Sequence, residues 1–277
     1  MNVSLPRFSQ ETAAILESIA SVEGQLTPRE ARFLAMLAAF PTCQGAVLEI
    51  GSFKGRSTIV LAKATALAGH PQVVAVDPLT SPASTDPSLG GKSSGWDDFQ
   101  ANLRQAGVLE RVEFHRRRSN ELAAQWHADR RIRLLWIDGD HTYRGTKADF
   151  DAFAPFLADG AVVALHDVLH HHGGPTRVFA EDILLSDRFG AAGVCGSIGW
   201  AQCLHDPAEA ARHQADRIRL YRRVQRLIPY VAFGQDIEGW NKLGYKLARA
   251  GIPHGEVAPR DWLARVRFSG GASWAAG

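Results

Sequence analysis

Cysteine is scarce in this sequence. It occurs three times, at Cys43, Cys195 and Cys203, an odd number without C-x-x-C spacing, which excludes both a disulfide framework and a structural zinc site. The one pairing left open is Cys195 with Cys203, across a hairpin. Long apolar runs are missing too: none approaches the ~18 residues that span a bilayer, and residues 1–16 lack the order of a secretory leader. A cytosolic chain is expected. Nor is there an excess of charge of either sign, since 31 Lys and Arg stand against 29 Asp and Glu, so nothing pulls the molecule as a whole toward nucleic acid or a membrane. What remains is an ordinary composition, 45% hydrophobic over 277 residues, enough for a sizeable core.

The charge is unevenly spread. Residues 206–277 carry a net +5, leaving −3 on residues 1–205, and this sets the C-terminal part aside as a distinct element. Its arginines between residues 217 and 226 alternate with Ile218, Leu220, Tyr221, Val224 and Leu227 at near-helical spacing, as on the solvated face of an amphipathic helix.

Helical patterns cover residues 10–22 and 28–40, the second opened by Thr27, Pro28 and Glu30 as a capping box. The pattern then changes. Short apolar strands are expected at residues 46–50, 73–77, 111–115, 133–138 and 161–166, with helix-length stretches between them. Such alternation builds an α/β fold, a mostly parallel sheet with helices on both faces and ligands beyond the carboxyl ends of its strands. Residues 194–198 and 200–204, meeting around Gly199, predict an antiparallel edge hairpin. Three parts follow: an N-terminal helical segment (1–44), a core (45–205) and a basic helical extension (206–277). Residues 81–95, rich in Pro, Gly and Ser, are expected to form a lid or a passive surface loop beside the site.

The sharpest local signal is LEIGSFKGRST, residues 48–58, running from a strand through a glycine turn into a helix. Gly51 and Gly55 permit close approach of a ligand, and the helix N-terminus offers free amides to a carboxylate. A Walker loop is excluded because three residues separate the glycines and Lys54 precedes Gly55. The G-x-G-x-x-G fingerprint is excluded by Phe53. Twenty-six residues beyond Gly51, Asp77 ends the next strand, where a carboxylate can accept the hydroxyl protons of a ribose. Nucleoside recognition without a pyrophosphate grip points to S-adenosylmethionine.

This turn resembles the first motif of class I S-adenosylmethionine-dependent methyltransferases, in the E-x-G-x-x-x-G-x-S form of the catechol O-methyltransferase-like branch. The resemblance extends through IDGDHTY (residues 137–143) and LHDV (165–168), as in the Methyltransf_24-type family, linked to O-methylation of sugars and natural-product hydroxyls. It implies a Rossmann-like, seven-stranded sheet. It also implies that Gly51, Ser52, Phe53 and Gly55 line the methionine end of the cofactor, with Glu49 beneath. Ser57 would bind the cofactor carboxylate, Asp77 the ribose and Ser119 the adenine side.

Asp138, with His166 and Asp167 at the neighbouring strand end, brings two carboxylates and an imidazole to one rim. These groups suit Mg²⁺, Mn²⁺ or a softer divalent ion; alternatively they serve only the cofactor amine and the fold. Relatives carry an acidic or amide residue where this chain has His166. His141 takes the place of the Lys or His that accepts the substrate proton in relatives, and a neutral imidazole suits that task. Asp140 as its orienting partner and Tyr143 packed over the site stay open. The histidine run 170–172 reads as a solvated loop at the entrance, and residues 116–118, three arginines, as an exposed turn.

Together these expectations describe a methyltransferase acting on a hydroxyl of a small natural product or sugar. The partners are a small hydroxylated acceptor and a second copy of the chain in a homo-oligomer, with neither nucleic acid nor membrane. Methylation of N or C without a metal, or S-adenosylmethionine binding without catalysis, are the competing readings. Ile228, Tyr230, Val231, Phe233 and Trp240 are expected to be buried on the core or against a second subunit.

Overall fold

The computed structural model describes residues 4–69, 72–80, 95–232 and 237–269. Two N-terminal helices, α1 (Leu5–Ser18) and α2 (Pro28–Ala39), precede the sheet. The capping box at α2 forms as the sequence predicts, with Thr27 and Glu30 each accepting from the other's backbone amide. The strands are β1 (Ala46–Ile50), β2 (Val73–Val76), β3 (Val112–His115), β4 (Ile132–Ile137), β5 (Leu157–Leu165), β6 (Phe189–Cys195) and β7 (Ile198–Cys203). They form one seven-stranded sheet in the order β3-β2-β1-β4-β5-β7-β6. The first five strands are parallel and the β6–β7 hairpin joins antiparallel to β5. The expected class I architecture is therefore present.

Parallel strands buried on both faces need apolar residues at successive positions, and β1, β4 and β5 supply them. Val47, Leu134, Trp136, Val162 and Ala164 face one cluster; Leu48, Ile50, Leu135, Ile137, Val163 and Leu165 face the other. The first cluster is covered by α1, α2, α3 (Arg56–Leu67) and α4 (Trp96–Gln105). The second is covered by α5 (Ser119–Ala123), α6 (Tyr143–Phe153) and α7 (Gly173–Arg177), which continues as a π-helical stretch over Val178–Leu184. Arg56 pins the N-terminal segment to α3 by donating to the carbonyls of Ile19, Val22 and Leu26.

Beyond β7 the chain adds α8 (Pro207–Ala211), α9 (Gln214–Val224), α10 (Ile228–Val231), α11 (Gly239–Ala250) and α12 (Pro259–Arg265). These helices divide between the two clusters. Leu220, Val224 and Leu227 enter the second, whereas Trp262 enters the first against Phe33 and Trp200, with ring centroids 6.2 and 4.9 Å away.

Four expectations are corrected. The hairpin turns at Gly196 and Ser197 and not at Gly199: Gly196 takes φ +63°, whereas Gly199 lies within β7 against Phe179 and Val168. Cys195 and Cys203 do not meet, because the register sets Cys195 opposite Ile198 and Cys203 opposite Phe189. On α9, Arg217 is buried and donates to the carbonyls of Leu184 and Ala210, so that face is not wholly solvated. Of the C-terminal apolar residues, Val231 is buried and Ile228 and Tyr230 are half-buried. Trp240 is 87% exposed, in a stripe with Leu243 and Leu247 on α11. Phe233 and residues 81–94 lie outside the described residues. No described helix is long and apolar enough to cross a membrane.

Candidate active site

The parallel ladders run one residue past the strand ends and set the site residues side by side. Gly51 N–H donates to Val76 O, Asp138 N–H to Ile50 O and His166 N–H to Ile137 O, at 3.0, 2.8 and 3.0 Å. Gly51, Asp138 and His166 thus follow one another along the carboxyl edge of β1, β4 and β5. Glycine is required at 51: φ is +86°, and a Cβ there would lie 2.2 Å from the Asp138 carbonyl oxygen. The three non-glycine residues with positive φ among the described ones, Phe53, Leu79 and Asp167, all lie in the loops that follow β1, β2 and β5 at this edge. Backbone strain concentrated in this way is a mark of functional sites.

These residues open onto one cavity of about 940 Å³, at the upper end of the ~300–1,000 Å³ that small-molecule sites span. Gly51, Ser52, Phe53, Ser57, Asp77, Ser119, Asp138, His141, His166 and Asp167 line it, with the histidine run 170–172 at its wall. Gly55 is the N-cap of α3, in a left-handed conformation without a side-chain cap, so the first-turn amides suit a carboxylate.

Glu49 is buried beneath the turn. It accepts hydrogen bonds from the Ser52, Ser57 and Thr58 hydroxyls, and burial pushes its carboxyl up to about 7. The Ser57 hydroxyl is therefore engaged with Glu49, which leaves its backbone amide for a ligand. Asp77 Oδ2 accepts from the Ser52 and Phe53 amides and Oδ1 from Leu79 N–H, at 2.8, 2.9 and 2.7 Å. That uses three of the roughly four lone-pair positions of a carboxylate. One position remains for a hydroxyl of a ligand, where the sequence expectation asked for the hydroxyl protons of a whole ribose. Burial pushes the Asp77 carboxyl upward against these amides.

At the far side of the cavity the Ser119 hydroxyl donates to Asp149 on α6. Burial raises Asp149 to about 6 against that bond. Asp149 is absent from the sequence reading, although a signal exists: it shares the inward helical stripe with Thr146, Phe150 and Phe153, where an acid is out of place unless it has a task.

The acidic and histidine groups gather as expected. His166 Nδ1 lies 3.1 Å from Asp138 Oδ1 and 3.4 Å from Asp167 Oδ1, and His141 Nε2 lies 3.6 Å from both Asp138 Oδ1 and Asp167 Oδ2. Burial alone would lower both imidazoles; the surrounding carboxylates outweigh it and raise both, His166 strongly. Asp138, despite its own burial, is held down by His166 and His141. Asp140 does not orient His141: its Oδ1 accepts the Thr142 amide at the start of α6. Tyr143 lies away from the cavity, beneath the Arg177 guanidinium 3.8 Å from its ring centroid. The His141 ring instead stacks on His172, with centroids 4.4 Å apart. Arg118, from the run 116–118, reaches the cavity wall.

The donor set fits a divalent ion. Neighbouring ligands about 2.1 Å from an octahedral ion lie about 3 Å apart, close to the 3.1 and 3.4 Å separations around His166 Nδ1. Asp138, His166 and Asp167 each offer an atom within 4.8 Å of the other two. Across the ring, His166 Nε2 is 3.7 Å from Glu30 Oε2, the carboxylate–histidine arrangement that commonly backs a metal ligand.

Comparison with known proteins bears on the fold that carries these residues. A family model described as "Methyltransferase domain", Methyltransf_24, matches residues 48–168, from the glycine turn through Asp167. Over those residues the chain is similar to this methyltransferase family. The structure of the O-methyltransferase NovP is similar at 12% identity and TM-score 0.55, covering 72% of this chain and 100% of NovP. A Corynebacterium glutamicum protein is similar at 18% identity and TM-score 0.53, covering 71% and 91%. An O-methyltransferase from Bacillus cereus in complex with SAH has 20% identity and TM-score 0.48, covering 70% and 90%. The methyltransferase domain thus has the class I, Rossmann-like fold, and α1 and α2 precede its matched residues while β6, β7 and the C-terminal helices follow them.

Proposed function

We propose that this methyltransferase is S-adenosylmethionine-dependent and acts on a hydroxyl of a small natural product or sugar, assisted by a divalent ion at Asp138, His166 and Asp167. One observation carries the reading: His141, paired at 3.6 Å with two carboxylates, lines the same cavity as the Gly51 turn and Asp77. An imidazole beside a nucleoside-binding edge is suited to deprotonating an acceptor next to a bound methyl donor. When bound, S-adenosylmethionine supplies an electrophilic sulfonium methyl: the acceptor oxygen forms the new C–O bond as the C–S bond breaks, its electron pair passing to sulfur.

The chain's own residues do the rest. The α3 amides and the free Asp77 lone pair orient the methionine and ribose ends, and the Ser119–Asp149 pair faces the adenine side. With Nε2–H turned to Asp138 and Asp167, His141 takes the acceptor proton at Nδ1. Orientation of two reactants contributes up to roughly 7–11 kcal/mol, and base assistance about 10²–10⁴-fold. A divalent ion would clamp acceptor oxygens and stabilise the alkoxide. Residues 45–205 serve as the catalytic core, with residues 206–277 completing the acceptor side and any contact with a second copy.

Calorimetry with S-adenosylhomocysteine on wild type, Gly51→Val and Asp77→Ala tests the cofactor assignment, with loss of binding expected in both variants. Turnover on a panel of hydroxylated acceptors, with and without EDTA, tests the reaction. Cofactor binding without turnover on any acceptor would leave an S-adenosylmethionine-binding protein in place of an enzyme.

A further inference from the structure

Glu30 was legible only as a helix cap, and it lies outside the residues matched by the family model. In the fold it is buried and fully engaged. Oε2 accepts from the Thr27 amide and hydroxyl at 2.9 and 2.6 Å, and Oε1 from the Ser197 amide and hydroxyl at 2.6 and 2.7 Å. An N-terminal helix and the hairpin turn, 167 residues apart, thus fix one carboxylate against the back of His166. His166 is 3% exposed; its Nε2 is buried without a hydrogen-bond partner and faces the Glu30 carboxylate at 3.7 Å, a charge contact, while its Nδ1 looks onto Asp138 and Asp167. A carboxylate behind a histidine sets the tautomer and makes the outward nitrogen a better ligand. Nitrogen in the donor set favours ions later in the first transition row, whereas Mg²⁺ favours an all-oxygen shell.

We propose that Glu30 is a positioning residue that presents His166 Nδ1 beside Asp138 and Asp167, and that the resulting O,N,O site selects a borderline transition-metal ion over Mg²⁺. This deepens the cation component of the proposed function and rests on it. Sequence supplied no sign of the link, because nothing local ties residue 30 to residue 166.

The test uses the full chain stripped with a chelator and titrated with Co²⁺, followed by its visible d–d absorption without cofactor or acceptor. Wild type should bind one Co²⁺ saturably, should be displaced by equimolar Zn²⁺, and should resist a hundredfold excess of Mg²⁺. Glu30→Gln, which keeps one accepting oxygen and turns an NH₂ toward the other pair of donors, should weaken Co²⁺ about 10–100-fold in protein that still melts cooperatively, and His166→Asp should move the preference toward Mg²⁺. No saturable Co²⁺ band, displacement by equimolar Mg²⁺, or Glu30→Gln binding within twofold of wild type each overturns the proposal. Should Glu30→Gln fail to fold, Ser197→Ala is read instead, at threefold weakening or more in support and no change against. S-adenosylhomocysteine calorimetry on the same protein reports separately: its failure would sink the methyl-transfer reading while the cobalt spectrum still judges the cation site.

Discussion

Asp77 Oδ2 lies 2.9 Å from the backbone nitrogen of Phe53, a residue held at φ +46°. A phenylalanine with positive φ stores strain, and the Asp77 carboxylate is what holds it there, together with the neighbouring Ser52 amide. The acid at the end of β2 therefore shapes the turn as well as lining the cavity. Asp77→Ala should lower unfolding stability by about 1–3 kcal/mol, the cost of leaving buried amides without an acceptor, besides abolishing cofactor binding. Phe53→Gly should recover part of the stability in the Asp77→Ala background. Urea unfolding of the two single variants and the double variant measures this; additive effects would mean that Asp77 does not restrain Phe53.

Glu49 sets a pH dependence of stability. Its carboxyl, raised by burial to about 7 from an ordinary value of 4.5, keeps its proton in the folded chain while the unfolded chain loses it. Between about pH 4.5 and 7 the unfolded state binds fewer protons, so stability contributed by this group falls as pH rises and levels off above 7. The size is on the order of 3 kcal/mol by linkage. Glu49→Gln cannot ionise, and its urea midpoint should lack this component of the decline. Equal pH slopes for Glu49→Gln and wild type would show that the three hydroxyl donors keep the carboxylate ionised.

What the sequence made legible was local. The glycine turn, the α2 cap and the order of strands and helices each depend on residues within a few positions of one another, and all appear where expected. What it hid depends on distance through space. Arg217 looked like one more solvated arginine, yet it is buried against the carbonyls of Leu184 and Ala210. The hairpin turn fell at Gly196, which takes φ +63°, while Gly199 lies in β7 where a Cβ would collide with Phe179 and Val168. Glu30 and Asp149 reach the site only through the packing of helices onto the sheet.

His141 faces Asp138 and Asp167, which raise its pKa above the ordinary imidazole value against the effect of burial. A base works deprotonated, so turnover should rise with pH along a limb centred above about 6.5. Asp167→Asn removes one of the two carboxylates and should move that limb to lower pH. His141→Ala should lose turnover by about 10²-fold or more while retaining affinity for S-adenosylhomocysteine. Wild-type turnover in His141→Ala would transfer the proton to another group.

The C-terminal helices are expected to be inseparable from the core. Trp262 is fully buried and packs edge-on to both Phe33 from α2 and Trp200 from β7, so a residue near the C-terminus closes the cluster that α2 and the hairpin begin. On the other face Val224 and Leu227 are fully buried as well. Removal of residues 206–277 strips apolar cover from both faces of the sheet at once, and the shortened chain should be insoluble or molten. Trp262→Ala is the finer probe: loss of a buried tryptophan costs about 3–5 kcal/mol, with the edge-to-face contacts contributing roughly 0.5–1.5 kcal/mol each within that total. By contrast Trp240→Ala, at an 87% exposed position, should change stability by no more than about 0.5 kcal/mol. Thermal melts and urea midpoints of the two variants compare them directly. A cooperative, wild-type melt for Trp262→Ala or for the truncated chain would show that the extension is an appendage on an independently stable core.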